Sequence, residues 1–502
     1  MMNTGSTSKA LQDVGTERGR WAALVVLCVG MLMIILDSTI VNVALPSIQD
    51  DLGFSQSSLA WVVNAYLIAF GGLLLLSGRV GDLVGRRNVF MVGLAVFTVA
   101  SLVCGLADSQ ALLIGARFVQ GVGGALTSAV ILGMIVTMFP EPRDQAKAIG
   151  VYSFVASAGA SIGLLAGGAL TQGLSWHWIF FVNVPIGIAT AVLAHRLVDR
   201  DVGIGLRQGA DVPGAVLVTG ALMLGVYTIL GAGDHGWGSA QTLGLGALSV
   251  ALLVTFLVRE SRIANPLMPL RIFRSRNVSA ANVVQMLLVA GLFGMFFLGV
   301  LYLQRVLGYN AIETGLAFLP VALLIGAVSL GLSERLNMRF GARATLIPGL
   351  VLAFAGLLLF TRVPMDGSYV TDVLPSMILL GTGAGLSFPS LTTLAMSGAT
   401  RSDAGLASGL INTSLQVGGS LGLAVLATLA TTRTESLSAG GDPLAAALTG
   451  GYHLAFWIGA GLLLVAVTVA VVVLQPERVV AEQLAPADEP DDGVEPGWAE
   501  AA

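Results

Sequence analysis

Apolar runs of twenty or so residues, separated by short polar breaks, repeat along nearly the whole chain. Fourteen stand out, at about 21–45, 59–77, 88–107, 110–138, 146–171, 177–198, 212–231, 241–259, 278–303, 312–333, 343–362, 370–394, 403–430 and 451–474. Each is long enough for an α-helix to cross the hydrocarbon core of a bilayer, which takes about 20 residues. The pattern predicts an all-α polytopic membrane protein with 14 transmembrane helices. The polar breaks set its orientation, because Lys and Arg gather in cytoplasmic loops. With the N-terminus inside, 21 of the 25 Lys and Arg fall in inner segments, against only Arg305, Arg362 and Arg433 outside and Arg117 within a run. Both termini are therefore expected on the cytoplasmic side of the cell membrane.

The two ends of the chain echo each other. "LGFSQSSLAWVVNAYLIAFGG" precedes "GRVGDLVGRR", and about 255 residues later "LGYNAIETGLAFLPVALLIGA" precedes "GLSERLNMRFGAR"; "GVGGALTS" is matched by "GTGAGLSF". Weak internal symmetry of this kind marks transporters built from repeats, with a substrate site between them near the midplane. The expected organisation is a cytoplasmic segment 1–20, a six-helix bundle 21–198, a linker with two extra transmembrane helices over 199–277, a second six-helix bundle 278–474, and a disordered acidic Pro-rich tail 475–502.

Composition narrows the function classes. Of 502 residues 55% are hydrophobic and 11% charged, far from a soluble average. Cys28 and Cys104 both lie in expected spans, so they report no disulfide. The polar start "MMNTGSTSKALQDVGTERGR" leads into a long span rather than a short h-region, so no cleaved signal peptide is expected. His177, His195, His235 and His453 are dispersed, which speaks against a convergent catalytic or metal site. No soluble effector domain of any size is present, and no nucleic-acid partner or cofactor is expected.

Charges inside the spans carry the chemistry. Asp37 stands in "VLCVGMLMIILDSTIVNVALPSI", where a charge near the bilayer centre costs about 2.5–3.5 kcal/mol on insertion scales. Ser38, Thr39 and Asn42 on adjoining faces extend it into a polar strip. "ALLIGARFVQGVGGALTS" places Arg117 in the fourth span; at about 100° per residue, Gly121 and Gly124 follow it on one face, with Gln120 beside it. A structural Asp37–Arg117 pair is one reading. The other is a proton carrier: burial disfavours the charged carboxyl, a nearby guanidinium favours it, and two environments of that kind could load and release a proton. In "GRVGDLVGRR", Gly78, Gly81 and Gly85 permit a tight turn, while Asp82 among Arg79, Arg86 and Arg87 can form an ion-pair cluster. In "GASIGLLAGG", Gly159, Gly163 and Gly167 fall every four residues and make a flat packing face.

These motifs resemble those of the major facilitator superfamily. "GRVGDLVGRR" resembles its loop signature, "ARFVQG" its R-x-x-Q-G motif, which implies a part in proton coupling for Arg117, and "GASIGLLAGG" its antiporter signature, with Leu164 where a proline usually stands. "LDSTIVNVALP" is similar to the first-helix signature of the fourteen-span drug:proton antiporters of the EmrB/QacA type, and "WVVNAY", "GLSWHWIFFVNVPIG" and "GYHLAFW" fit the same family. The resemblance spans about 15–475. It implies the major facilitator fold and proton-coupled efflux by alternating access between the two halves, with Asp37 and Arg117 coupling protons and the Gly78–Arg87 loop latching the cytoplasmic side.

The presumed central helices supply scattered amides and aromatics: Trp61, Asn64, Tyr66, Gln120, Asn282, Gln285, Phe293, Asn412 and Gln416, together with Asn42, form the candidate substrate cavity. Such a set suits lipophilic drugs, antibiotics or dyes held by dispersion and a few hydrogen bonds; the same residues can equally be packing groups. Glu313 lies at an outer helix end and Asp403 near an inner one, so no second mid-span acid favours dications. A dedicated exporter of a metabolite or self-made antibiotic, or a proton-coupled importer, would share the architecture. The chain is expected to work as a monomer in the bilayer, driven by the proton gradient.

Overall fold

The computed structural model describes residues 17–199, 201, 203, 205, 211–263, 266–397 and 404–475; the segment ahead of 17 and the acidic tail beyond 475 lie outside the described residues. Fourteen long helices follow one another: α1 (Glu17–Leu52), α2 (Gln56–Val84), α3 (Arg86–Gly105), α4 (Gln110–Met138), α5 (Pro142–Gly173), α6 (Asn183–Leu197), α7 (Val212–His235), α8 (Ala240–Glu260), α9 (Arg276–Leu301), α10 (Ala311–Ala327), α11 (Ala342–Phe360), α12 (Leu374–Ser397), α13 (Ala404–Ala439) and α14 (Leu444–Val472). There is no strand among the described residues. Among the described residues thirteen helical spans are long and apolar enough to cross a membrane, the sixth of the long helices counting together with the short turn ahead of it as Trp178–Leu197, and α5 adds a further 32-residue helix.

Local chemistry sets the helix ends. The Ser58 N–H donates to the Ser55 hydroxyl at the start of α2, and Asn310 with Glu313 forms a reciprocal capping box at α10, satisfying N–H groups that would otherwise lack partners. Apolar patterning locates the spans but not these ends. Thus α1 continues from the apolar run through Pro46 to Leu52, and α13 runs to Ala439. Short π-helical turns at Tyr302–Val306, Val328–Ser333 and Tyr369–Val373 leave no sequence signal.

The packing repeats. In the first six helices α1 packs on α5 and α6, α2 on α4, and α3 on α4 and α6. Moving each partner eight helices on gives α9 on α13 and α14, α10 on α12, and α11 on α12 and α14, and these pairs are all in contact. Two seams join the halves, α2 against α13 and α5 against α10, and the same shift exchanges one seam with the other. The fold is therefore two like-built six-helix halves plus an inserted pair. The loops echo each other as well: Gly85 and Gly341 both take positive φ, +98° and +89°, at the turns into α3 and α11, a conformation glycine adopts without the usual Cβ penalty.

The inserted helices pack on each other, and α7 lies against both α2 and α13. Gly72 of α2 lies so close to Thr219 of α7 that a Cβ there would meet its hydroxyl at 2.5 Å, while the Thr428 hydroxyl of α13 donates to the Ile229 carbonyl at 3.2 Å. The insert thus covers the α2–α13 seam from outside the bundle.

Candidate functional site

Asp37 lies just past the middle of α1, with no solvent exposure, and its carboxylate is caged by donors from two other helices. Arg117 Nη1 of α4 donates to Oδ2 at 2.6 Å. Gln120 Nε2 of α4 and Asn183 Nδ2 of α6 donate to Oδ1 at 2.7 and 2.9 Å. An unpaired charge here would be prohibitive; a paired one needs this many bonds to offset its desolvation.

Arg117 is held independently of that carboxylate. Its Nε donates to the Val62 carbonyl at 2.9 Å, Nη1 also donates to Gln120 Oε1 at 2.7 Å, and the guanidinium stands 4.5 Å from the Tyr66 ring centre and 5.7 Å from that of Phe180. Gln120 is committed at both ends, because Nε2 also donates to the Ser101 hydroxyl at 2.8 Å and Oε1 faces the Cys104 thiol at 3.7 Å. The result is a buried polar cluster built from α1, α2, α3, α4 and α6. It lies wholly inside the first half.

Small residues make the approach of these helices possible. Gly159, Gly163 and Gly167 of α5 face α1 on either side of Asp37: a Cβ on Gly159 would meet Leu32 at 2.9 Å, one on Gly163 would overlap the Thr39 hydroxyl, and one on Gly167 would meet the Ile40 carbonyl at 2.8 Å. Gly121 of α4 faces α2, where a Cβ would meet the Tyr66 carbonyl at 2.5 Å, and Gly124 faces Phe70 and the Tyr66 hydroxyl. Leu164 is buried with its carbonyl 2.6 Å from a Cβ on Gly315, so this position forms part of the α5–α10 seam.

The loop between α2 and α3 differs from a four-member ion cluster. Asp82 Oδ1 accepts from Arg86 Nη2 at 3.0 Å, and Arg86 Nη1 continues to the Gly133 carbonyl and the Thr137 hydroxyl of α4, each at 3.0 Å. Arg87 is drawn away to the His195 carbonyl at 2.6 Å. Asp201 of the linker, unmarked by any sequence pattern, accepts the backbone N–H groups of Arg86 and Arg87 at 2.6 and 3.0 Å and caps α3. Gly81 packs on Val130 of α4, whereas Gly78 faces open space. These bonds stay within the first half and its linker.

The candidate cavity residues take up several different contacts. Tyr66 and Gln120 belong to the Asp37 cluster. Trp61 faces the inserted α7, its ring 6.4 Å from that of Tyr227. Asn42 donates to its own helix at the Ser38 carbonyl. Asn282 accepts from the Ser414 hydroxyl at 2.7 Å, tying α9 to α13. Phe293 packs on Gly419, and Gln285 is buried in α9. Asn412 is exposed in α13, and the Gln416 side chain fills the notch above Gly71 with Oε1 unpartnered. Asn64 is fully buried with both amide atoms unpartnered.

Polar bonds between the halves gather at the end of the bundle that carries the α1–α2 turn. Arg305, in the π turn after α9, donates to the Pro46 carbonyl at 3.2 Å, to Gln49 Oε1 at 3.3 Å and to Asp50, while Gln304 Nε2 donates to the Val43 carbonyl at 3.1 Å. The Ile312 N–H of α10 donates to Gln172 of α5 at 3.3 Å. A cleft of about 470 Å³ opens beside Asp50 and Arg305, walled by Leu301, Leu444, Leu448 and Tyr452.

Known proteins are similar to this chain in sequence and in fold. The sequence profile of the Major Facilitator Superfamily matches residues 27–423. The puromycin resistance protein of Streptomyces alboniger is 40% identical over 93% of this chain and 94% of its own length. The cephamycin export protein of Amycolatopsis lactamdurans is 38% identical over 94% of each. A bacterial homologue of the human lysosomal transporter Spinster, solved in an inward-facing unoccupied conformation, superposes with a TM-score of 0.68 at 16% identity, covering 94% of this chain and all of that one. With its repeated helix pairing and two symmetry-related seams, the chain belongs to the Major Facilitator Superfamily and is a membrane transporter rather than an enzyme.

Proposed function

We propose that the chain exports lipophilic drugs, antibiotics or dyes across the cytoplasmic membrane in exchange for protons, with Asp37 carrying the proton and both termini inside. The observation that carries this reading is the independence of Arg117 from Asp37. If Asp37 takes up a proton and its pair with Arg117 weakens, the guanidinium still has Gln120, the Val62 carbonyl and the Tyr66 face. Neutralising one member of an ordinary buried pair leaves the other charge without compensation; here neutral acceptors and an aromatic face remain on the cation and offset part of that cost. The names of the similar proteins, which speak of puromycin resistance and cephamycin export, support the substrate class.

In this orientation the bonds of Arg305 to Asp50 and Gln49 join the halves at the outer face, so substrate enters from the inside and leaves when they part. No cofactor takes part, the proton gradient supplies the work, and a single chain in the bilayer suffices. A dedicated exporter of one self-made compound is the second reading. It is favoured by the single compounds named in the relatives, among them a tetracenomycin C resistance and export protein of Streptomyces glaucescens.

The purified protein in liposomes with an imposed pH gradient tests the proposal. A panel of lipophilic dyes and antibiotics is added while the internal pH and the compound are followed together. Antiport predicts that compound accumulates on the proton-rich side while protons flow the other way. Movement of compound and protons in the same direction would identify an importer, and response to one member of the panel alone would favour the dedicated exporter.

A further inference from the structure

We propose that Asn183 is a two-way hydrogen-bonding partner of Asp37: its amide donates to the ionised carboxylate and turns over to accept from the protonated acid. The proposal rests on Asp37 as the proton carrier and adds the device that accommodates both of its charge states.

Three observations point to Asn183. It is fully buried at the first position of α6, and its Nδ2 donates to Asp37 Oδ1 at 2.9 Å. Its Oδ1 is buried and has no partner, although buried polar atoms are nearly always satisfied. Finally, α6 itself is seated tightly: one turn on, a Cβ on Gly187 would overlap the Thr98 hydroxyl of α3, so a change at Asp37 falls on the amide rather than on the helix.

The other side chains that donate to the Asp37 carboxylate cannot answer a change in its charge in this way. The ionisable groups facing it are Arg117 from α4, Tyr66 from α2 and Cys104 from α3. A guanidinium only donates. Gln120 can in principle do both, but turning it breaks its bonds to Ser101 and Arg117 together with its bond to Asp37. Turning Asn183 breaks a single bond. One end of its amide lacks a partner in either orientation, so the far end sets little preference and the charge on Asp37 decides.

The proton balance is simple. A proton from the aqueous phase adds to Asp37 Oδ1, and the new O–H donates to Asn183 Oδ1 once the amide has turned. Arg117 retains Gln120 and Val62, and no covalent bond in Asn183 is made or broken. Loss of the proton reverses each step. Without the turn, an acid O–H would face an N–H donor and remain unmatched in a buried site, the arrangement that costs most.

Infrared difference spectra of the full chain in liposomes, recorded between acid and alkaline pH, test this. The carboxylic C=O band of Asp37 is identified by its absence in Asp37→Asn. In Asn183→Leu, and in Asn183→Ala should the bulkier variant fail to fold, the band is expected at higher wavenumber because the acid has lost its acceptor. Asn183→Ser, whose hydroxyl both donates and accepts, should hold the band near the parent position. Proton-driven export should fall about tenfold in Asn183→Leu, the order expected for loss of a hydrogen bond to a charged group, with recovery in Asn183→Ser. An unmoved band in both apolar variants overturns the proposal while leaving the proton carrier intact. If Asp37→Asn removes no carboxylic band, Asp37 never takes up a proton and the underlying reading fails instead.

Discussion

Arg117 holds Asp37 with 2.6 Å between Nη1 and Oδ2 in a space closed to solvent, and the same guanidinium is anchored to α2 through the Val62 carbonyl. The pair therefore ties three helices together. Removing Arg117 as Arg117→Leu leaves the carboxylate short of its cation, which in buried pairs costs about 3–5 kcal/mol. The thermal midpoint of the detergent-solubilised protein should fall accordingly. The double variant Asp37→Asn, Arg117→Leu should regain much of the loss, since no stranded charge remains; two penalties that simply add would contradict the pairing.

Gly163 lets α5 reach α1 at Thr39, whose hydroxyl already donates to the Ile35 and Leu36 carbonyls. Gly163→Ala should destabilise by about 1–3 kcal/mol through overpacking and slow transport. Combining it with Thr39→Ala removes the atom in the way, so the pair should show a coupling of about 0.5 kcal/mol or more. Stability measurements on the four variants check this.

The contact of Arg305 with Asp50 is partly solvent-exposed, at 33% and 64% for the two side chains. Such a pair is worth up to about 1 kcal/mol, so Asp50→Asn should raise the open population at that face by at most about fivefold. A cysteine placed by Leu448→Cys in the adjoining cleft reports it through its alkylation rate, since the native Cys28 and Cys104 are buried. An unchanged rate would show that this contact does not hold the face closed.

At the base of the inserted pair, Asp211 caps α7 and takes Arg259 of α8 on both oxygens, at 2.8 and 3.1 Å. Burial pushes its carboxyl up, but the bonds from Arg259 and from the Gly214 N–H outweigh burial and hold it below its ordinary value of 3.8. A lowered value means stability that is fully present above pH 3.8 and lost as pH falls through the lower, folded-state value. The parent should therefore be more stable than Asp211→Asn at neutral pH, with the contribution of the Asp211 carboxylate lost below that point. A difference that instead vanished between pH 5 and 7 would rule out this assignment.

Asp37 and Arg117 are legible in the sequence because a charge in an apolar run has no inexpensive explanation, and the glycine rows because their four-residue period puts them on one face. Asn183 carries no such mark. It is one polar residue in "FFVNVP" near a span end, and its contact with Asp37 arises only when α6 lies beside α1. The setting of Trp61 is hidden for the same reason: its ring lies 6.4 Å from that of Tyr227 on the inserted α7, whose docking no local pattern specifies. Arg305 counts in the sequence only towards membrane orientation, whereas the π turn at Tyr302–Val306 aims it across the boundary between the halves. Tertiary placement, rather than helix formation, is what escaped the pattern.

Proton coupling through Asp37 is tested most directly by comparing two modes of transport in the same liposomes. One is export driven by a pH gradient; the other is exchange of labelled for unlabelled substrate with no gradient. The Asp37→Asn side chain keeps the shape of the acid but holds no exchangeable acidic proton. It is expected to abolish gradient-driven accumulation while largely retaining exchange. Accumulation by Asp37→Asn as high as that of the parent under the same gradient would contradict the role of Asp37 and leave it as a structural partner of Arg117.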